Sequence, residues 1–380
     1  MKPGATELLG WLRERQDEML ALVIEMAEAE SPSGDAASQE AMRSILEERL
    51  LALDFEVERL KGADGCDHLR AEMPGRSDEQ TPHQLLLGHF DTVWPVGTLS
   101  SMPVEVREGR LSGPGVFDMK GGLAQMLFAL RANLELDLAM PCRPVVLLNC
   151  DEEIGSPDSR QYVEALAADA RRAFVMEPSY GRLGLLKTGR KGVGRFVLKV
   201  SGIARHAGLD PSAGASAIRE VSRPVESLFE LNDAERGVPV TVGTIDGGMG
   251  ANIVAPEASA EIEARVRTAG DAEAVEAAIR GLRPTGERVS LRVEGGFRRP
   301  PLEATPRNRR LWQSAVEAAA GLGIEIDEAQ VGGASDGNFA SAFTATLDGL
   351  GAVGDGAHAD HEHLIVERMP ERAALLASLL

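Results

Sequence analysis

Short apolar runs separated by helical runs are the feature that most limits how this chain can fold. In its first half, strand-like runs at 84–88, 145–150 and 173–176 alternate with segments at 121–136 and 156–168 whose apolar residues have helical spacing. Buried parallel strands are almost continuously apolar, and a parallel neighbour needs a crossover helix between the two strands. The pattern therefore predicts βαβ units and a mostly parallel mixed sheet flanked by helices.

The pattern changes near residue 190. Residues 258–268 alternate strictly between apolar and polar side chains, which predicts an antiparallel strand with one open face. With its neighbours this strand gives the order strand, helix, strand, strand, helix, strand, which is typical of a ferredoxin-like α+β domain. Pro300 and Pro301 end the segment. We therefore expect a larger α/β domain in two parts and an inserted lid or dimerisation domain, with the boundaries 1–190, 191–301 and 302–380.

Composition excludes several classes of partner. The net charge of −19 argues against nucleic acid or an anionic membrane as a partner, because phosphates need a basic face. No segment approaches the roughly 20 consecutive apolar residues of a membrane span. Residues 6–29 have helical spacing, so we expect one helix there and no signal peptide. Three cysteines without CxxC spacing favour reduced thiols. These features predict a cytoplasmic protein.

Carboxylate and imidazole side chains follow the predicted strands at the points where the strands end. His89 ends the first run, Glu152 and Glu153 follow the second, and Glu177 follows the third. Ligands of open α/β sheets bind beyond the carboxyl ends of the strands, so these groups can converge. Asp118 lies in a Gly-rich loop before a helix, where a helix N-cap is the alternative role. For His89 alone, a buried structural histidine is the alternative.

A further imidazole comes from the C-terminal loop, where His358, His361 and His363 lie close together in sequence and one or two suffice as ligands. Two imidazoles, several carboxylates and no paired cysteines suit two divalent metals of the zinc type. The pattern therefore predicts a metal-dependent hydrolase.

The adjacent carboxylates have an expected division of roles. In an extended segment, the side chains of Glu152 and Glu153 point to opposite faces, so that one can bind metal while the other faces the activated water. The alternative is a solvated acidic turn. Asp91 lies two residues after His89 and is placed to hold the second nitrogen of that imidazole.

The motifs GHFDTV, GPGVFDMKGG, DEEIGS and MEP together resemble the co-catalytic dizinc metallopeptidases. That family includes glutamate carboxypeptidases, acetylornithine deacetylase, succinyl-diaminopimelate desuccinylase, aminoacylases and tripeptidase. The resemblance covers nearly the whole chain and is greatest to the glutamate carboxypeptidase branch. It implies a zinc-exopeptidase-like fold, a homodimer through the inserted domain, and two divalent cations, with zinc preferred and cobalt or manganese as alternatives.

The resemblance also implies a role for each ligand. Asp118 would bridge both cations, and a cis peptide bond is expected after it. His89 and Glu177 would complete one metal site. Glu153 and His358 would complete the other.

The remaining roles concern catalysis and substrate binding. By the same resemblance, Glu152 would be the general base and Asp91 the residue that orients His89. In the inserted domain, His206 would bind the scissile carbonyl oxygen. Asn252 and Arg265 would hold the substrate's carboxylate, a task that suits the guanidinium fork.

Several of these side chains also fit ordinary structural roles. The residues alone favour a turn histidine for His206 and an ordinary sheet-surface charge for Arg265. The family usually has Asp at the position of Glu263. The basic run of Lys187, Arg190 and Lys191 is interpreted as a solvated face, and attraction of an anionic substrate is the alternative.

The sequence therefore predicts an exopeptidase or amidohydrolase that releases a C-terminal amino acid, with glutamate preferred, from a small peptidyl- or N-acyl-amino acid. One alternative is an N-acyl-amino-acid deacylase of the acetylornithine deacetylase or aminoacylase type. A second is a non-catalytic metal- or amino-acid-binding protein on the same fold.

Overall fold

A computed structural model describes residues 4–62, 65–74 and 82–380 of the chain. The chain divides into two compact units. The larger consists of Met1–Thr188, Ala304–Val331 and Ser335–Leu380, and the smaller of Gly189–Glu303 and Gly332–Ala334.

The helices and strands are numbered in chain order. The α-helices are α1 Ala5–Glu14, α2 Gln16–Glu28, α3 Ala36–Leu51, α4 Gly121–Glu135, α5 Arg160–Asp169, α6 Ala217–Phe229, α7 Ala269–Arg280, α8 Pro306–Leu322, α9 Asp336–Phe343 and α10 Met369–Leu379. The strands are β1 Glu56–Leu60, β2 His68–Glu72, β3 His83–His89, β4 Glu105–Arg107, β5 Arg110–Ser112, β6 Arg143–Asn149, β7 Ala170–Val175, β8 Leu186–Arg190, β9 Gly192–Ser201, β10 Val240–Gly247, β11 Glu257–Val266, β12 Ser290–Arg299, β13 Glu328–Val331, β14 Ala345–Leu347, β15 Gly354–Asp355 and β16 His363–Ile365.

A six-stranded mixed sheet forms the centre of the larger unit. Its order is β1-β2-β6-β3-β7-β14. The strands β6, β3, β7 and β14 run parallel to one another, and β2 is antiparallel to both of its neighbours, β1 and β6. Alternate residues of β3 enter different cores: Leu86 packs in one apolar cluster, and Leu85 and Leu87 pack in the other. Both faces are therefore buried, which accounts for the continuous apolar runs. The predicted α/β class is confirmed.

A second, smaller sheet in the same unit holds two loops together. It has the antiparallel order β15-β16-β5-β4. His358 lies in the loop between β15 and β16, and Asp118 lies in the single π-helical turn Val116–Lys120 that ends the loop after β5. Pairing of β16 with β5 therefore brings these two distant segments side by side.

The smaller unit has a four-stranded antiparallel sheet of order β10-β11-β9-β12. Counted within the unit, this is strand order 2-3-1-4, the ferredoxin-like arrangement. The predicted alternation of β11 is seen directly, because Ala258, Ala260, Ile262, Ala264 and Val266 are all buried in one apolar cluster.

Several element boundaries differ from the sequence prediction. Helix α5 begins at Arg160 and not at 156, and β7 begins at Ala170 and not at 173. The helix expected at 6–29 is two helices, because the backbone at Arg15 leaves helical geometry and its guanidinium packs on the ring of Trp11 at 3.9 Å. Helix α6, for which the apolar spacing predicts residues 213–230, begins at Ala217, where Ser216 provides the N-cap. Strand β12, for which the apolar run predicts residues 289–293, extends through Gly295 and Gly296, because backbone pairing with β9 continues there. Among the described residues, no helix has both the length and the apolar character of a membrane span.

Candidate metal centre

Three of the predicted ligands lie at one edge of the central sheet. His89 is the last residue of β3, Glu177 lies two residues beyond the end of β7, and the pair Glu152–Glu153 follows β6. Because β6, β3 and β7 are parallel neighbours, their carboxyl ends meet at the same edge. The structure therefore brings together groups that are up to 88 residues apart, as the strand-end pattern predicts.

Asp118 lies between two imidazoles. Its Oδ1 is 3.3 Å from Nε2 of His89, and its Oδ2 is 3.6 Å from Nε2 of His358. The Asp118–Met119 peptide bond is cis, as the resemblance led us to expect. The residue is not a helix N-cap, because α4 starts three residues later with Lys120 at its N-cap position.

Each imidazole has a second carboxylate beside it. Nε2 of His89 is 3.5 Å from Oε1 of Glu177, and Nε2 of His358 is 3.0 Å from Oε2 of Glu153. The carboxylate of Glu152 also belongs to this cluster, within 4.8 Å of ligand atoms of His89 and Glu177. In each of two overlapping groups, His89–Glu152–Glu177 and His89–Asp118–Glu153, the donor atoms lie within 4.8 Å of one another. Asp118 is the carboxylate that lies near both imidazoles.

The local geometry of Glu152 and Glu153 differs from the prediction. We expected an extended segment, but β6 ends at Asn149 and the two glutamates lie in a turn closed by the Gly155 N–H donating to the Glu152 carbonyl (2.8 Å). The alternative of a solvated acidic turn is wrong as well, because Glu152 is only 9% exposed. The two side chains nevertheless approach different imidazoles: Glu152 lies near His89, and Glu153 lies near His358.

Asp91 determines the shape of this turn. Its carboxylate accepts hydrogen bonds from the backbone N–H groups of Glu152 (3.2 Å) and Glu153 (3.1 Å) and from the hydroxyl of Ser33 (2.6 Å). Nδ1 of His89 lies 3.0 Å from the Asp91 carbonyl oxygen and 3.4 Å from its Oδ1. Asp91 is fully buried and orients the imidazole and both glutamates at once.

Glu177 is held by loops behind it. Its carbonyl oxygen accepts from the Gly351 N–H (2.9 Å). The segment around Gly351 is in turn held by Arg372 of α10, which donates to the carbonyls of Gly351 (3.1 Å) and Gly184 (3.1 Å). Burial lowers the pKa of Arg372 to about 9. The guanidinium is a structural support for this side of the cluster.

The interpretation of the basic run as a solvated face is wrong for two of its three residues. Lys187 is 8% exposed and its Nζ lies 3.9 Å from Oε2 of Glu177. Arg190, in the smaller unit, is 4% exposed and donates to the carbonyls of Gly333 and Ala334, both at 3.3 Å. The run looked like surface because charge alone does not report burial.

Two predicted substrate-binding residues are adjacent in the smaller unit. His206 forms a bridge with Ile253, and the N–H of Ala207 donates to the carbonyl of Asn252 (2.9 Å). Nδ1 of His206 accepts from the Gly208 N–H (3.1 Å). A neutral His206 therefore carries its proton on Nε2, and that N–H is a donor on an exposed side chain.

Arg265 lies on β11 and already has two acceptors. Its Nε donates to Oε1 of Glu263 (2.9 Å), and its Nη1 donates to the carbonyl of Gly332 (2.7 Å). Glu263 therefore forms an ion pair with the guanidinium that we expect to bind the substrate's carboxylate. A bound carboxylate would share or replace these partners.

Sequence comparison identifies the family. A profile of Peptidase family M20/M25/M40 matches residues 85–380. The chain belongs to this family. It is similar to carboxypeptidase G2 of Pseudomonas sp. (strain RS-16), with 29% identity over 380 residues that cover 97% of this chain and 89% of the relative. It is also similar to succinyl-diaminopimelate desuccinylase of Methylococcus capsulatus, with 30% identity over 379 residues and coverage of 95% and 97%.

The fold agrees with this membership. Aminopeptidase PepT from Bacillus cereus has a similar structure, with a TM-score of 0.78 at 21% identity, covering 96% of this chain and 97% of its own. As a member of the M20 family, the chain is a metal-dependent peptidase or amidohydrolase.

The charges of this cluster of carboxylates and imidazoles, called the M20 centre below, fit two cations. Burial alone would lower the pKa of His89, but contacts with Asp118, Asp91 and Glu177 raise it well above its usual value. The hydrogen bond to Glu153 raises the pKa of His358 to about 9, and burial raises the pKa of Glu153. Negative groups are in excess in the cluster, because two imidazoles and the ammonium group of Lys187 are surrounded by the carboxylates of Asp91, Asp118, Glu152, Glu153 and Glu177.

Unpartnered atoms point the same way. Within the described part of the chain, the buried Nε2 of His89 and Oδ1 of Asp118 have no hydrogen-bond partner, although they face each other. Imidazole and carboxylate donors around such atoms suit divalent metals. The residues present therefore fit two metal ions.

Two residues of the M20 centre were missed by sequence reasoning. Ser33 binds Asp91 from 58 positions away, and Glu362 accepts the backbone N–H of Asp118 (2.9 Å) from 244 positions away. Ser33 lies in the helix-breaking segment SPSGD, and Glu362 lies in the C-terminal histidine loop. The only sequence signal for them is that both are polar residues in segments next to predicted ligands or helix ends. A search of these two segments for such residues could have found them.

Proposed function

We propose that the protein is an exopeptidase that hydrolyses an amide bond and releases a C-terminal amino acid, with glutamate preferred, from a small peptidyl- or N-acyl-amino acid. The observation that supports this most is Asp118, whose two carboxylate oxygens face the imidazoles of His89 and His358 separately. Similarity to carboxypeptidase G2 supports the carboxypeptidase direction of cleavage.

In this proposal the cations are zinc. Asp118, His89 and Glu177 would hold one cation, and Asp118, Glu153 and His358 would hold the other. Two divalent cations bound there supply Lewis acidity, which polarises the scissile carbonyl and lowers the pKa of a water molecule toward neutrality. Asp91 fixes the ring of His89 through Nδ1, which leaves Nε2 as the ligand atom.

Glu152 is the general base. Its carboxylate accepts a proton from the attacking water and delivers it to the leaving nitrogen as the carbon–nitrogen bond breaks. The position of this side chain beside His89 and Glu177 supports the role, and its hydrogen bond to Asp91 through the backbone keeps it there.

His206, Asn252 and Arg265 bind the substrate. His206 donates from Nε2 to the carbonyl oxygen as negative charge develops on it. The hydrogen bond that Nδ1 of His206 accepts from Gly208 favours the tautomer with that proton. Asn252 and Arg265 bind the free carboxylate, which orients the scissile bond.

A hydrolysis panel tests the function. Purified protein would be offered peptidyl-, benzoyl-, acetyl- and succinyl-amino acids before chelation, after chelation and after return of Zn²⁺, Co²⁺ or Mn²⁺. We expect release of free amino acid, fastest for glutamate, with loss on chelation and recovery on return of metal. Activity that survives exhaustive chelation, or cleavage of no member, would refute the proposal.

The control uses the same acyl groups with the terminal carboxylate amidated. Wild-type protein should strongly prefer the free carboxylate, and Arg265→Ala should remove that preference mainly through KM. If Arg265→Ala lowers turnover of acids and amides equally, Arg265 does not bind the carboxylate. Glu263→Gln should increase the preference, because it releases the charge now paired with Arg265.

A second candidate is an N-acyl-amino-acid deacylase. The succinyl-diaminopimelate desuccinylase of Methylococcus capsulatus, which is 30% identical with 97% of its length covered, favours it. The chemistry of the centre is the same for both functions. Faster cleavage of N-succinyl or N-acetyl substrates than of peptidyl-glutamates in the same panel would assign the protein to this class.

We also propose a homodimer through the smaller unit. Strand β10 is an edge strand, and Ile245 on it is 49% exposed. Ile218 at the start of α6 is 42% exposed and Met249 is 73% exposed. Light scattering after gel filtration should give twice the chain mass for wild-type protein and for Leu51→Glu, an exposed leucine in the larger unit, and the single mass for Ile218→Glu. A wild-type monomer would contradict the proposal.

A further inference from the structure

A buried carboxylate connects the two loops that carry Asp118 and His358. Glu362 is fully buried. Its Oε1 accepts from the N–H groups of Phe117 and Asp118, both at 2.9 Å. Its Oε2 accepts from the N–H of Gly115 (2.9 Å) and from Nε1 of Trp94 (2.7 Å). One side chain therefore satisfies four donors.

The loop before Asp118 depends on these bonds. Residues 113–118 belong to no strand, and two glycines within them have left-handed backbone angles, Gly113 at φ 151° and Gly115 at φ 72°. A segment of this shape makes few backbone hydrogen bonds of its own, so its buried N–H groups need another acceptor. Four donors on two oxygens require a group that only accepts, and an ionised carboxylate is such a group.

The position of Glu362 in the chain matters as much as its contacts. It lies four residues after His358 and immediately before β16, whose first residue, His363, pairs with Ser112 of β5. Its own carbonyl accepts from the Gly113 N–H (3.3 Å), which extends that pairing into the loop. The backbone of Glu362 is thus fixed to one loop end, and its side chain fixes the rest of that loop.

We propose that Glu362 is a positioning residue that sets the Asp118 loop against the His358 loop before any cation binds. The proposal rests on the proposed roles of Asp118 and His358 as ligands. The carboxylate of Glu362 fixes the backbone N–H groups of Phe117 and Asp118, and the oxygens of Asp118 face His89 and His358. Without the Glu362 carboxylate, metal binding would also have to order the loop, and the measured affinity for the metal would be lower.

The first test compares Glu362→Gln with Trp94→Phe in metal-free protein. Glutamine has the same shape, but its amide group turns two donors toward two N–H groups. Trp94→Phe removes one donor and leaves the three backbone bonds, so it is the matched control. Outer partners of metal ligands are typically worth roughly 10- to 100-fold in affinity. We expect competition with a chromogenic chelator to show at least about tenfold weaker Zn²⁺ binding for Glu362→Gln and binding within about threefold of wild type for Trp94→Phe.

A purely structural role would lower the unfolding temperature without changing Zn²⁺ affinity. A folded Glu362→Gln protein with wild-type affinity would therefore overturn the proposal. Should this variant fail to fold, amide hydrogen exchange of metal-free wild-type protein decides. Slow exchange at Gly115, Phe117 and Asp118 supports the proposal, and fast exchange at all three overturns it.

These measurements need no substrate. If Glu362→Gln loses affinity but wild-type protein hydrolyses nothing in the panel, the proposed function fails and the role of Glu362 stands. If wild-type protein hydrolyses the panel and Glu362→Gln binds Zn²⁺ normally, only the role of Glu362 fails.

Discussion

Replacement of Glu152 by Ala is expected to lower kcat by about 10²- to 10⁴-fold, the range usual for general acid–base catalysis, while both metals stay bound. The reason is that the four other carboxylates and imidazoles assigned as ligands remain around Asp118 when this side chain is removed. Turnover on the best panel substrate and metal content by mass spectrometry of the same sample check the prediction.

The neighbouring Glu153→Ala variant is the matched control. It lies in the same turn, and its backbone N–H binds the same Asp91 carboxylate, but its side chain approaches His358, at 3.0 Å. We expect it to lose metal as well as activity. If Glu152→Ala loses metal and Glu153→Ala keeps it, the roles of base and ligand are reversed between the two residues.

The contrast between these variants matters because the residues alone do not show which of Glu152 and Glu153 is the base and which is the ligand. The prediction relied on an extended segment in which neighbouring side chains diverge. The segment is a turn, and the side chains diverge because Asp91 holds both backbone N–H groups. Sequence spacing predicted that both carboxylates reach the centre, but the hydrogen bonds that orient them come from a loop about 60 residues away.

The fold was predictable where the pattern reflects burial on both faces of a sheet. Parallel strands β3, β6 and β7 appear as apolar runs, and the groups at their ends converge because their carboxyl ends meet at one edge. In the smaller unit, the alternation of β11 predicted its buried face residue by residue. These inferences need only local periodicity.

What could not be predicted depends on long-range polar contacts. Burial of Lys187 beside Glu177 and the support of the Asp118 loop by Glu362 involve residues with no periodic pattern. The break of the first helix at Arg15, where the backbone leaves helical geometry, likewise has no counterpart in the spacing of apolar residues. Composition assigns such charged residues to the surface, since lysine and glutamate are rarely buried without partners.

Replacement of Asp118 by Ala is expected to remove both metals and with them hydrolysis. Its Oδ1 and Oδ2 lie near different imidazoles, at 3.3 Å from His89 and 3.6 Å from His358, so one substitution removes a ligand from each site. The loss of affinity should exceed the roughly 10- to 100-fold that outer partners of ligands contribute. Isothermal titration of metal-free protein with Zn²⁺ measures both affinity and stoichiometry.

The informative comparison is with His358→Ala, which removes a ligand from one site only. Wild-type protein should titrate with two Zn²⁺ per chain, His358→Ala with one tight Zn²⁺, and Asp118→Ala with none at the same concentration. Equal stoichiometry for Asp118→Ala and His358→Ala would show that Asp118 serves a single cation. The same result would leave the second group of donor atoms, around Glu153, without a shared ligand, and a one-metal centre would then account for the cluster better than a bridged pair.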